Sequence, residues 1–317
     1  MMGPKSVMVT GASGFVGSSI LQKLLDEGKN AIGFDVASPP QHLFGKATVV
    51  KGDILDLSRI LHLAKEYNVE GIIHTIAIMP STGSEDMPAQ TVRINVEGTM
   101  TILEVARLLD LRRVVFCSTV SACGDKGLVK VKERDPSALP FHEIYGLSKF
   151  MAEQLCLYYS EKFGVDVVVV RFTNVYGPGQ RPFKKPFIAG AQPIDWFLHS
   201  ALTDKTIEME KGLETQKDYT YIKDVVQGVI LAFSKEKPKY RLYNISSGKL
   251  TRMDEIVKVI SRVLPDVSIN IGPGIEELLP YFDISRARDD LGYRPEYDVQ
   301  KAIPDYIDWL RNRVNKS

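Results

Sequence analysis

The octapeptide Thr10-Gly11-Ala12-Ser13-Gly14-Phe15-Val16-Gly17 constrains this chain more than any other stretch. The apolar run before it, Ser6-Val7-Met8-Val9, suits a buried parallel strand. After it, Ile20, Leu21, Leu24 and Leu25 recur at helical spacing, and Gly28 stands where a helix would stop. The order is therefore strand, glycine turn, helix. Gly11 permits the tight turn, Gly14 lets backbone N–H groups approach a ligand, and Gly17 lets the helix pack close to the strand. A helix N-terminus carries partial positive charge, so such a turn seats the pyrophosphate of a dinucleotide. Ser13, Phe15 and Val16 complete the cradle. The spacing, G-x-x-G-x-x-G, is one residue longer in its first gap than the commonest dinucleotide fingerprint.

A second apolar run, Ala31-Ile32-Gly33-Phe34, ends at Asp35, eighteen residues after Gly17. A carboxylate there accepts hydrogen bonds from ribose hydroxyls and repels a 2′-phosphate. Val36-Ala37-Ser38 supply no cation to offset that repulsion, which favours NAD over NADP. The plainer alternative, a glycine turn that binds nothing with Asp35 as a solvated strand end, loses ground because Asp35 is so placed.

Apolar strand-like runs near 5–10, 30–35, 47–51, 70–76, 112–118 and 165–171 alternate with helical patterns near 15–27, 56–68, 87–110 and 142–163. This rhythm predicts an α/β fold, a doubly wound parallel sheet of Rossmann type. Ligands bind such sheets at the carboxyl ends of the strands. Past residue 175 the rhythm breaks at Gly177-Pro178-Gly179. The later pattern gives helices near 192–203, 222–235, 251–263, 284–291 and 299–313, with strands near 206–210 and 240–245. The expected division is a cofactor domain over 1–175 and a smaller α/β substrate lobe over 176–317, with some segments free to return to the first domain.

The formal net charge of +1 gives no reason to expect nucleic acid or an anionic membrane as partner. No run approaches a membrane span in length, and Lys5 and Gly11 bracket too few apolar residues for a signal peptide. The three cysteines (Cys117, Cys123, Cys156) form no C-x-x-C motif or disulfide framework, so a cytoplasmic setting is expected. The five histidines are scattered, and no metal is expected.

The chemistry is expected downstream. Val114-Val115-Phe116-Cys117-Ser118-Thr119 reads as a strand ending in hydroxyls. Tyr145 and Lys149 stand four apart on a long helix and share a face. A free phenol, with a pKa near 10, is a poor base at neutral pH, and a nearby ammonium lowers that value. Tyr145 would then take the proton of a substrate hydroxyl, Thr119 would orient the same oxygen, and Lys149 would also hold the nicotinamide ribose. Ser118 is a further substrate-side hydroxyl, unless it only caps local backbone. Alone, a Tyr-x-x-x-Lys pair would be an ordinary helix surface.

Taken together these residues resemble the extended short-chain dehydrogenases, the NAD-dependent epimerase/dehydratase family, over about residues 6–313. Besides the glycine loop, Ser118-Thr119 and Tyr145…Lys149, the matching pieces are Gly52-Asp53-Ile54, His74-Thr75-Ile76-Ala77, Asn95-Val96-Glu97-Gly98-Thr99, the run Arg171 to Pro178, the run Asp218 to Val225, and Asn244-Ile245-Ser246-Ser247-Gly248. The resemblance implies that Asp53 and Ile54 contact adenine, that Ala77 lines the cofactor channel, and that Asn95 supports the site beside the nicotinamide. It places Phe172 and Val175 on the cofactor side and Asn174 on the substrate side. It also implies a homodimer built on a four-helix bundle.

The likeness thins where many relatives hold a sugar nucleotide's diphosphate with two arginines. One of those places is Lys217, a point charge instead of a bidentate fork. The other falls in Gly274-Ile275-Glu276-Glu277-Leu278-Leu279-Pro280, which has no arginine. Arg181, Lys184 and Lys185 offer an anion site, unless they are a solvated basic loop. The sequence therefore tilts toward a dehydrogenase that oxidises a secondary hydroxyl of a sugar, sugar acid or small polyol. A nucleotide-sugar 4-epimerase with tightly bound NAD is the alternative, and a non-catalytic NAD-binding protein a third. A dehydratase fits less well, because Val120-Ser121 follows Thr119 where such relatives carry Asp-Glu.

Overall fold

In the computed structural model the described residues are 4–180, 193–275 and 278–314. Seven parallel strands form the central sheet, in the order Leu242–Ile245, Val167–Phe172, Arg113–Thr119, Val69–His74, Ser6–Thr10, Ala31–Asp35 and Thr48–Lys51. Strand Val167–Phe172 shows why such runs are continuously apolar. Its side chains alternate between the two faces, Val168 and Val170 entering one core cluster and Val167 and Val169 the other. Each fully buried valine contributes about 1.5–3 kcal/mol over an exposed one.

Helices Phe15–Asp26 and Ile222–Ser234 cover the first face, and helices Leu57–Glu66, Gly98–Leu109 and Ile144–Phe163 the second. The first six strands and their helices fall within a few residues of the sequence expectation. The seventh strand and helix Ile222–Ser234 come from beyond residue 175. Arg113 ties that helix down: buried at the start of its strand, it donates to the carbonyls of Ala232, Phe233 and Lys235 at the helix C-terminus and to Asp166 at 2.7 Å. A cation suits that end of the helix dipole.

One long helix is interrupted. Between Pro88–Val92 and Gly98–Leu109 the residues Arg93–Glu97 make a wider π-type turn around Asn95. A third core holds the lobe, where helices Pro193–Thr203, Met253–Val263 and Val299–Val314 pack together beside the strand pair Thr206–Met209 and Ser268–Ile271. Two-residue strands stitch lobe to sheet domain. Thr220–Tyr221 pairs with Val175–Tyr176, and Tyr281–Phe282 with Lys130–Val131. None of these short pairings is expected from the sequence pattern. No described helix is long and apolar enough to cross a membrane. Among the described residues no cluster of His, Cys, Asp and Glu could hold a metal ion.

Candidate active site

The carboxyl ends of the strands open into a cleft of about 2260 Å3. At its floor the glycine loop is shaped by contact. Gly11 has φ +76°, and a Cβ there would lie 2.4 Å from the Thr75 hydroxyl oxygen. A Cβ on Gly17 would fall 2.1 Å from the Gly11 carbonyl, so this helix can approach the strand only without one. No side chain caps the first turn of helix Phe15–Asp26, and Gly14 at its N-terminus is exposed. An uncapped, exposed helix start is a fit for the pyrophosphate of NAD.

Asp35 holds the glycine loop in place. One carboxylate oxygen accepts the Ser13 N–H at 2.9 Å and the other the Ala37 N–H at 3.0 Å. The Ser13 hydroxyl donates to the Ala37 carbonyl at 2.9 Å. The carboxylate thus locks the glycine loop to the end of its strand, and each oxygen keeps a further lone pair for a hydroxyl. Asp53, Ile54, Ala77, Phe172 and Val175 line the same cleft, as do Phe15 and Val16. Asp53 also accepts the Leu55 N–H at 3.0 Å, a local turn bond. His42 and Lys46, which sequence reasoning passed over, line the cleft as well.

Thr119 and Tyr145 meet at the cleft, while the Lys149 ammonium is engaged elsewhere. Thr119, at a strand end, lies within interaction range of the Tyr145 hydroxyl, and both line the cleft. Lys149 does not prime the phenol in this conformation. Its ammonium donates to the Cys117 carbonyl at 2.6 Å and lies 4.2 Å from the Phe116 ring centroid. Burial pushes Tyr145 up to about 12, against a smaller opposing effect of Thr119. Burial also brings Lys149 down to about 8. Desolvation outweighs the pair attraction that spacing alone suggests.

Two expected site residues have partners of their own. Ser118 is largely buried at the cleft wall, and its hydroxyl donates to Glu153 at 2.5 Å. Asn95 is buried and does not reach the cleft. Its amide accepts the Ile78 N–H at 2.8 Å and donates to the Ile78 carbonyl at 3.0 Å and the Ser148 hydroxyl at 2.9 Å. It clamps the loop beside Ala77 to the start of helix Ile144–Phe163. Asn174 lines the cleft and donates to the Asp218 carbonyl at 3.1 Å. Lys217 also lines it, largely buried. Arg181, Lys184, Lys185, Glu276 and Glu277 lie outside the described residues.

Sequence reasoning missed Glu153 and the imidazole of His74. His74 shares hydrogen bonds with the Thr10 hydroxyl (2.7 Å) and the Thr99 hydroxyl (3.2 Å), and its burial, aided by Lys149, lowers it to about 3. The signal for Glu153 was present: it stands one helical turn beyond Lys149, across from an arginine-bearing strand.

A sheet edge that joins a dinucleotide seat to a phenol-bearing helix is the arrangement of enzymes that shuttle a hydride between a nicotinamide and a carbinol carbon. Over residues 7–246 the chain matches the model of the NAD-dependent epimerase/dehydratase family, and the protein belongs to that family and uses NAD. It is 30% identical over 316 residues to a putative UDP-glucose 4-epimerase of Methanocaldococcus jannaschii, covering 96% of this chain and 98% of the relative. A UDP-glucuronate 4-epimerase of Thermodesulfobacterium geofontis is 25% identical over 334 residues, covering 97% of this chain and 96% of the relative. Among solved structures, UDP-glucose 4-epimerase from Thermotoga maritima with UDP-glucose aligns at TM-score 0.85 and 23% identity, over 98% of this chain and 99% of that one, which is a likeness of fold.

Proposed function

We propose that the protein is a nucleotide-sugar 4-epimerase that takes a UDP-hexose and keeps NAD bound through the cycle. The observation that carries this reading is the size and continuity of the cleft. One cavity of about 2260 Å3 takes in both the glycine loop and Lys217, while a small-molecule site needs roughly 300–1,000 Å3. That leaves room for a second ligand as large as a sugar nucleotide beside the cofactor. The sugar-nucleotide epimerases among its relatives point the same way.

In this reading Gly11, Ser13, Gly14 and Gly17 hold the pyrophosphate, and Asp35 the adenosine ribose. Tyr145 exchanges a proton with the oxygen at the sugar's C4, and Thr119 holds that oxygen in line. Lys149 turns from the Cys117 carbonyl toward the nicotinamide ribose, bringing its charge to the phenol. When bound, NAD supplies the hydride acceptor and, on the return step, the donor. Lys217 meets the diphosphate as a single charge. The enzyme is a homodimer through helices Gly98–Leu109 and Ile144–Phe163, which expose Met100, Leu108, Met151, Tyr158 and Phe163.

The second reading, a dehydrogenase for a sugar acid or small polyol, is favoured by the substrate lobe. Lys217 replaces a guanidinium fork, and Leu278, Leu279 and Pro280, which line the cleft, bring no cation. The test is incubation with NAD and separate panels of UDP-hexoses, free sugars and sugar acids, following the NADH band and identifying products by NMR. Inversion at C4 without net NADH is expected. Net NADH from a free sugar or sugar acid, with every UDP-hexose unchanged, overturns the epimerase reading.

A further inference from the structure

Beneath the Thr119–Tyr145 pair lies an ion pair that the cleft does not touch. Glu153 follows Lys149 by four residues on helix Ile144–Phe163, and the two are only 1% and 2% exposed. Arg171 grips the Glu153 carboxylate with two donors, Nε at 2.8 Å and Nη2 at 2.6 Å. The Ser118 hydroxyl donates to the same carboxylate at 2.5 Å. Ser118 and Arg171 are register partners on adjacent parallel strands. One turn earlier, Lys149 donates to the carbonyl of Cys117. A single helix face therefore grips two consecutive residues of the strand, immediately before Thr119.

Stability does not explain this carboxylate, because buried ion pairs of this kind roughly break even against apolar packing. Its position does something else. Two buried cations, Lys149 and Arg171, face one anion. The other titratable groups turned toward this cluster are Cys117 and His74 on the strands beside Lys149, Cys156 on the same helix, Cys123 just beyond Thr119, and Glu133.

We propose that Glu153 is a positioning residue for catalysis: through Ser118 it sets the height of Thr119 on its strand, and its charge keeps Lys149 an ammonium. The inference rests on the reading of Thr119, Tyr145 and Lys149 as the reacting groups. Burial draws Lys149 down toward about 8, and Cys117 first, then Glu153 and Cys156, act against that fall. Without Glu153 the lysine would lose its proton at lower pH, and with it the charge that activates the phenol.

The experiment has two arms, both on full-length protein loaded with NAD. The first follows the titration of Lys149 by NMR of lysine labelled at Cε, in wild type, Glu153→Gln and Glu153→Asp. Glu153→Gln is expected to move the Lys149 midpoint down by on the order of one pH unit, and Glu153→Asp to leave it in place. The second measures kcat and KM against pH with UDP-glucose and UDP-galactose. Ser118→Ala, which spares the ion pair, is expected to lower kcat roughly 10- to 100-fold with little change in KM. The alkaline limb of the Glu153→Gln profile should shift toward acid by the same interval as the midpoint. An unmoved Lys149 midpoint in Glu153→Gln overturns the proposal. So does a Ser118→Ala variant that raises KM at constant kcat, which is the mark of a substrate contact. If Glu153→Gln does not fold, Ser118→Ala decides alone. Wild-type turnover in Tyr145→Phe would instead sink the reading of the site, a failure separable from that of Glu153.

Discussion

Tyr145 begins as a weak acid made weaker. Burial holds the phenol at about 12, so turnover depends on bringing positive charge to it. Tyr145→Phe keeps the ring and removes the proton carrier. It should bind NAD as the parent does and turn over at least about 10²-fold more slowly, as equilibrium dialysis and initial rates will show. His74 titrates in the opposite sense. Its imidazole is held neutral down to about 3 in the fold, against 6.5 for an ordinary histidine. Between those values the unfolded chain binds a proton that the folded one refuses, so stability falls as pH drops below 6.5. Asp195, raised to about 6 by burial, works against this trend over the acid range. The comparison that isolates the histidine is His74→Gln. Its Tm deficit relative to wild type should shrink from about pH 7 to about pH 5, as wild type alone loses the term. A deficit that stays constant with pH would assign the acid response to other groups.

Among the elements, the turn from strand Ser6–Thr10 into helix Phe15–Asp26 tolerates least. A methyl on Gly17 would meet the Gly11 carbonyl at 2.1 Å and the Thr75 hydroxyl at 2.7 Å. Gly17→Ala should therefore lift the helix from the sheet, lower stability by about 1–3 kcal/mol or more, and abolish NAD binding. Denaturant melts and NAD titration check both parts. This turn was also the most legible part of the sequence, because its three glycines, apolar strand and helical spacing are all local. The valine run of Val167–Phe172 was legible for the same reason: a strand covered on both faces has no polar face to hide. What was not legible depends on partners distant in sequence. The two-residue pairing of Lys130–Val131 with Tyr281–Phe282 has no periodicity of its own. The partners of the Asn95 amide, Ile78 and Ser148, were not legible either, because only the wide turn at Arg93–Glu97 brings them within reach. Nor does helical spacing reveal whether an ammonium faces a phenol or a carbonyl. Lys149 chose the carbonyl of Cys117.

For the whole molecule, helix Ile144–Phe163 joins the face bearing Tyr145 and Lys149 to an outer apolar one. Tyr158 is 52% exposed and Phe163 50%, beside Met151 on the same helix. Such a patch is where a second copy would dock in the proposed dimer. Replacing both Met151 and Tyr158 by Glu should convert a dimer to a monomer by light scattering, with the fold retained by circular dichroism. A wild-type protein already monomeric at micromolar concentration would remove the dimer from the model of function. The sheet carries a different consequence. Its outermost strand, Leu242–Ile245, and the covering helix Ile222–Ser234 are contributed by the half of the chain that also builds the substrate lobe. Cut after residue 175, the amino-terminal piece would keep its glycine turn yet present the bare hydrogen-bonding edge of Val167–Phe172 and one uncovered apolar flank, and it should self-associate when expressed alone. The two halves are thus interleaved, not hinged. Any widening of the cleft has to come from the loops above the sheet, because the ground beneath them is shared.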